Sequence, residues 1–230
     1  MKYEKLVLFD IDGTIMNTDG AGNQSFVNAL TQVFGREFSA EGYSTSGKTD
    51  TQIAIELGEK FGIPGDETEA RLGEIRDIYL AGLEREFAGI EPTVLPRVRE
   101  LVAAVAGNVR CVTGLLTGNF ERWAWIKLDR INLSEPFEMG AFGDGAKARI
   151  ELPDQAVKRA RELTGQTFEN KEIVIIGDTP NDVACGRHLN VKSIAVATGN
   201  FGEADLVREG PDFLFEDFTD TDRVVESILS

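Results

Sequence analysis

The sequence predicts an α/β protein: a doubly wound parallel sheet with an all-helical domain inserted after its first strand. Three observations carry this. Short apolar runs alternate with helical patterns after Pro92. A run of the same kind opens the chain at Leu6–Ile11. Between them, residues 20–91 show helical periodicity and no convincing strand.

Leu6 to Ile11 reads as a buried parallel strand that ends where Asp10, Asp12 and Gly13 break the apolar run. In the helical stretch, Phe26, Ala29, Leu30 and Val33 share one face. Ile53, Ile55, Leu57 and Phe61 follow, then Leu72, Ile75, Ile78, Tyr79 and Leu83. Beyond Pro92 the spacing predicts a helix over 96–106, a strand over Val109–Leu116, a helix near 120–131 and another near 154–164. Ile173–Ile176 reads as a buried strand, Asn181–His188 as a helix, Ser193–Ala197 as a strand, Phe213–Phe215 as a short edge strand and 220–229 as a closing helix. In sheets of this kind, sites form beyond the carboxyl ends of the strands.

Composition narrows the function classes. The chain has 230 residues, of which 42% are hydrophobic and 27% charged, as expected of a globular protein with a sizeable core. Its formal net charge is −15, which disfavours nucleic acid and anionic membranes as partners. A small anionic substrate would need a metal ion and local cations to reverse the field at its site. Cys111 and Cys185 lack metal-ligand spacing and sit in apolar surroundings. They read as reduced buried thiols of a cytoplasmic protein. The apolar run near the N-terminus is too short for a signal-peptide core, and no stretch approaches the length of a membrane span.

Three polar motifs fall at strand ends. In Asp10-Ile11-Asp12-Gly13-Thr14, side chains two apart in an extended chain point the same way, so both carboxylates can face one ligand. Gly13 permits a tight turn and close backbone approach to a phosphate oxygen. Taken alone, that motif could also be a metal site or a capped turn, the less favoured reading. In Leu116-Thr117-Gly118-Asn119, a hydroxyl and a backbone N–H can hold a phosphoryl oxygen; a helix N-cap by Thr117 or Asn119 is the plainer reading. Gly177-Asp178-Thr179-Pro180-Asn181-Asp182 adds two carboxylates at a strand end and the first turn of a helix. Four carboxylates at one sheet edge would repel strongly without a hard oxygen-liganded cation, Mg²⁺ above all.

Together these motifs resemble the haloacid dehalogenase superfamily, and its phosphatase branch in particular. The resemblance covers nearly the whole chain: a catalytic core over 1–15 and 92–230, and a helical cap of the C1 class over 16–91. Ser46-Gly47-Lys48-Thr49-Asp50 and the Asp178–Gly186 stretch look like proteins labelled phosphoglycolate phosphatase-like. The resemblance implies that Asp10 is the nucleophile and a metal ligand. It implies that Asp12 is the general acid/base and binds Mg²⁺ through its carbonyl. Thr117 and Gly118, with Asn119 beside them, would hold the phosphoryl group. Asp178 would ligate the metal, with Asp182 a ligand or a supporting partner. The substrate would be a small phosphorylated metabolite.

One position departs from the pattern. The family usually places a Lys, often followed by Pro, at a helix start between the second and third motifs. Here Lys147-Ala148-Arg149 precedes the helix. Arg149, whose fork suits phosphate, Lys147, or the more distant Lys158 could supply the charge. A solvated basic pair is the bland reading. His188, the only histidine, reads as a helix-end surface residue, and Phe120, Trp123 and Trp125 as core packing, with Phe120 close enough to border the pocket. Lys48, between two cap helices, is either a solvated charge or a reader of the substrate's remote portion.

Two other functions share these features. A phosphosugar mutase of the β-phosphoglucomutase type has the same motifs and cap. A non-catalytic binding protein could reuse the fold, although the carboxylates here are intact. Dehalogenase and phosphonatase relatives lack a carboxylate at the position of Asp12.

Overall fold

The computed structural model describes all residues except Met1, Asp19 and Ala21. Its centre is a six-stranded sheet of order β5-β4-β1-β6-β7-β8. The strands are β1 (Lys5–Phe9), β4 (Cys111–Leu116), β5 (Met139–Ala141), β6 (Ile173–Gly177), β7 (Lys192–Val196) and β8 (Phe213–Phe215). Every pairing is parallel. β1 lies between β4 and β6, with Phe9 beside both Leu115 and Ile176. The three predicted motifs therefore leave the sheet side by side at its carboxyl edge.

Both faces of the sheet are buried, and the pleat sorts the side chains. Leu6, Leu8, Val112 and Ile175 join one core with Leu152, Ala156 and Ala160 of α7 (Leu152–Thr164). Val7, Phe9, Leu115 and Ile176 join the other with Leu101 and Val105 of α5 (Val98–Ala106) and Val224 and Ile228 of α10 (Thr221–Leu229). This is the period-two, two-faced burial of a parallel sheet wound on both sides.

The helical segment consists of α1 (Asn23–Phe34), α2 (Asp50–Lys60), α3 (Gly65–Ala70) and α4 (Leu72–Phe87). α1 and α4 pack on each other through Phe26, Leu30, Tyr79 and Leu83, the predicted faces. In α2 the buried face is Ile53, Ala54, Leu57 and Gly58, so Ile55 lies to one side of it. The segment leaves and rejoins the sheet through a two-stranded antiparallel ribbon, β2 (Met16–Asn17) with β3 (Thr93–Val94).

Three elements differ from expectation. The strand expected from Val109 begins at Cys111, because Asn108–Arg110 forms a turn that leaves Val109 66% exposed. The edge strand β5 has only three residues, too few to show periodicity. A short helix, α9 (Glu203–Arg208), links β7 and β8.

Candidate active site

Asp10 follows β1 directly, and its amide donates to the Ile176 carbonyl at 2.9 Å. The carboxylate is buried. Burial pushes its pKa up to about 6, with Asp182 and Asp12 adding to the rise and Arg149 opposing it. Asp178, at the end of β6, is raised to about 8 by burial and by the charges of Asp10 and Asp182. Oxygens of Asp10, Asp178 and Asp182 all lie within 4.8 Å of one another. Three buried carboxylates this close repel one another, and a small hard cation fits their oxygen donors.

The backbone is shaped to admit Asp178. Gly13 has φ 79°, and a Cβ there would lie 2.3 Å from Asp178 Oδ2; at Gly199 it would lie 1.7 Å away. Gly13 is thus required twice, by the turn and by the carboxylate packed on it. Thr14 Oγ1 donates to Asp178 Oδ1 at 3.2 Å, and Thr198 Oγ1 to the Gly13 carbonyl at 2.5 Å.

Asp182 has a different part. It stands at the third position of α8 (Pro180–His188), where its Oδ2 accepts from the amide and hydroxyl of Thr179 in a capping box. Its Oδ1 accepts from Arg149 Nε at 3.0 Å and Nη2 at 2.6 Å. The same Nη2 is 2.9 Å from Asp10 Oδ2. Arg149 is buried. Burial opposes its charge, but Asp10 and Asp182 outweigh that and raise its pKa further. Lys147, by contrast, pairs with Glu69 at 2.7 Å with 57% of its side chain exposed, and Lys158 is exposed on α7.

At the end of β4, the buried Thr117 Oγ1 accepts from Asn119 Nδ2 at 2.7 Å. Asn119 Nδ2 also donates to Asp12 Oδ2 at 2.7 Å. Lys127, on α6 (Glu121–Arg130), lies 2.6 Å from both oxygens of Asp12. Sequence reasoning missed Lys127. The signal was its position in the buried stripe Trp123, Ala124, Lys127 and Leu128, where a lysine needs a partner.

The helical segment borders the cleft on the side away from the sheet. The Asp50 amide donates to the Gly118 carbonyl at 2.7 Å, and its carboxylate accepts from the Phe120 amide at 2.8 Å. Thr49 and Thr51 hydroxyls donate to the carbonyls of Ala146 and Gly143, each at 2.6 Å. A Cβ on Gly118 would lie 2.0 Å from the Lys48 carbonyl oxygen, so this contact requires glycine. Lys48 precedes α2 in the turn before the Thr49 N-cap; its ammonium pairs with Glu56 at 2.6 Å and lies 4.2 Å from the centroid of the Tyr43 ring.

The cleft has a volume of about 500 Å³. Asp10, Asp12, Asp178, Thr117, Gly118, Asn119, Arg149 and Lys48 all line it, and so does Lys127. Trp123 forms part of its wall, whereas Phe120 is buried against Tyr79, as core packing predicts, and does not border the pocket. His188 is exposed beside Asp154, as expected of a helix-end residue.

The family profile of haloacid dehalogenase-like hydrolases matches residues 7–196. The chain belongs to that family. It is a hydrolase of phosphoric esters. Relatives include a proposed pyrophosphatase PpaX of Caldanaerobacter subterraneus, 26% identical over 92% of this chain and 90% of that one. Pyrophosphatase PpaX of Bacillus cereus is 24% identical over 93% of each chain. Among solved structures, a predicted phosphoglycolate phosphatase from Haemophilus somnus superposes with a TM-score of 0.70 at 17% identity, covering 98% of this chain and 99% of that one. A proposed β-phosphoglucomutase from Bacteroides vulgatus gives 0.69 at 23% identity, covering 99% and 89%. These two share the fold. Among the described residues of this family member, no helix is long and apolar enough to cross a membrane.

Proposed function

We propose that this chain hydrolyses a small phosphate ester or anhydride by nucleophilic attack of Asp10, with Mg²⁺ as its metal. The observation that carries the reading is the placement of Asp10 and Asp12 on one cleft, one buried beside Arg149 and the other open to the cleft beside Lys127. A phosphatase of this kind needs one carboxylate as nucleophile and a second as acid and base.

In this reading an Asp10 oxygen attacks phosphorus and the bond to the leaving oxygen breaks. Asp12 gives that oxygen its proton. Asp12 then takes a proton from water, whose oxygen attacks the phosphorus of the aspartyl phosphate. Inorganic phosphate leaves and the Asp10 carboxylate is restored. Thr117 and the Gly118 amide hold the phosphoryl oxygens, and Arg149 holds Asp10 and offsets charge as the bond forms. Asp10 and Asp178, with the Asp12 carbonyl, would hold Mg²⁺; Asp182, already bonded through both oxygens, supports them through Arg149. The metal, when bound, supplies neutralisation of the phosphoryl charge.

Lys48 would read the substrate's remote portion, which requires it to exchange Glu56 for substrate. The names of the relatives suggest pyrophosphate as well as phosphoglycolate and sugar phosphates. The test is a screen of these compounds and p-nitrophenyl phosphate, with Mg²⁺ and with chelator. Release of phosphate from none of them would refute the reading. Conversion of a sugar phosphate to its isomer, primed by a sugar bisphosphate, would favour the mutase instead.

A further inference from the structure

Two buried cations serve the two carboxylates of the first motif. Arg149 lies against Asp10, and Lys127 against Asp12. The first occupies the position at which the family resemblance expects a cation. The second does not, and its surroundings define what it can do.

Lys127 is 3% exposed, on a helix face otherwise apolar. An ammonium is kept in such a place only when its hydrogen bonds are met. An ammonium has three protons, and the structure gives Lys127 Nζ three acceptors: Asp12 Oδ1 and Oδ2 at 2.6 Å each and Asn119 Oδ1 at 2.9 Å. No proton remains for a substrate, so Lys127 acts through its partners. The Asn119 amide completes the network, donating to Asp12 Oδ2 and Thr117 Oγ1 at 2.7 Å each. The Asp12 side chain is nevertheless 43% exposed. It is held from behind by Lys127 and Asn119 and open in front to the cleft.

We propose that Lys127 is the positioning residue for Asp12: with Asn119 it fixes the plane of that carboxylate and registers it against the Thr117 hydroxyl on the phosphoryl side. The inference rests on the reading of Asp12 as the acid/base. The consequence is geometric. A proton reaches the leaving oxygen efficiently only from a donor held at hydrogen-bond distance and in line. Without Lys127 the carboxylate can rotate about its side-chain bonds. Substrates that need the proton most then lose most. An ion pair that merely fastened α6 to the loop after β1 would have no such selectivity.

The experiment compares the wild-type enzyme, Lys127→Met and Asp12→Asn, all with Mg²⁺, on phenyl, p-chlorophenyl and p-nitrophenyl phosphate. These esters have similar shapes and leaving oxygens of decreasing basicity. Lys127→Met should lower kcat/KM for phenyl phosphate by roughly tenfold or more beyond its effect on p-nitrophenyl phosphate, since general acid catalysis contributes about 10²–10⁴-fold. Asp12→Asn should steepen the series further. Equal loss across the series in Lys127→Met, with a steep series in Asp12→Asn, would overturn the role of Lys127 alone. A flat loss in Asp12→Asn would instead overturn the reading of Asp12 on which it rests. Asn119→Leu removes the second tether and leaves the lysine in place; it should steepen the series by a smaller factor. If Lys127→Met fails to fold, an unchanged slope in Asn119→Leu overturns the proposal.

Discussion

Arg149 Nη2 sits 2.9 Å from Asp10 Oδ2 and 2.6 Å from Asp182 Oδ1, so one buried guanidinium joins the proposed nucleophile to the helix that follows the third motif. Arg149→Ala should therefore reduce kcat/KM strongly. Charge-assisted hydrogen bonds are worth about 1.5–3 kcal/mol each, or roughly 10- to 150-fold per bond. Lys147→Ala, which removes only a surface pair with Glu69, should stay near wild type. Steady-state kinetics on p-nitrophenyl phosphate separates the two. The reverse ranking would transfer the role to Lys147.

The crowding of Asp10, Asp178 and Asp182 predicts that Mg²⁺ stabilises the fold as well as supporting turnover. Saturating a site at 100 times its Kd contributes about 2.7 kcal/mol, enough to raise Tm measurably. Differential scanning fluorimetry should show that rise for the wild type and little for Asp178→Asn. Chelator should silence the enzyme, and Ca²⁺ should restore it poorly. Full activity in excess chelator would contradict this.

The three motif loops were legible because each ends a short apolar run with carboxylates or a hydroxyl in a fixed order, and β1, β4 and β6 are neighbours in the sheet. The alternation of strands and helices likewise gave the sheet and its helical insert. Lys127 was not legible by the same logic. Its partner lies 115 residues away, and the aromatic residues around it drew α6 into the core. β5, β2 and β3 span only two or three residues, below the length at which a pattern exists. The contact of Thr49, Asp50 and Thr51 with the Gly118 and Gly143 loops depends on how the helical segment seats on the sheet, which no local pattern encodes.

Asp50 supplies a pH-dependent term at that contact. Burial pushes its carboxyl up to about 7, against the Phe120 amide and Lys127. An unfolded Asp titrates near about 3.9. A raised folded pKa means that the stability Asp50 contributes is full below the unfolded value and is lost as pH rises through about 7. Asp50→Asn cannot ionise and should escape that loss. Its Tm relative to wild type should climb between about pH 4 and about pH 7 and level off above that. A constant difference across that range would contradict the assignment.

Gly118→Ala tests cap closure. The added methyl would meet the Lys48 carbonyl at 2.0 Å and Thr49 Cα at 3.0 Å, both on the cap side. The core should remain folded while the cap is held off, with a large loss of kcat/KM. Proteolysis within the 45–52 segment should speed up in the variant. Unchanged kinetics would show that the cap need not seat on Gly118.

If Lys48 reads the remote part of the substrate, Lys48→Ala should lower kcat/KM for the preferred metabolite much more than for p-nitrophenyl phosphate. Glu56→Gln, which frees the lysine, should lower KM for the anionic metabolite. Equal losses on both substrates would leave Lys48 a structural part of the cap, held by Glu56 and Tyr43.

The claim on which the rest depends is that the phosphoryl group passes through Asp10. Rapid acid quench during turnover, followed by mass spectrometry of the tryptic peptide Leu6–Arg36, tests it directly. The expected result is a phosphoryl adduct on Asp10 that forms with the first product and decays as phosphate appears. A first-turnover burst of leaving group equal to the enzyme concentration, with the adduct on another residue or on none, would contradict it.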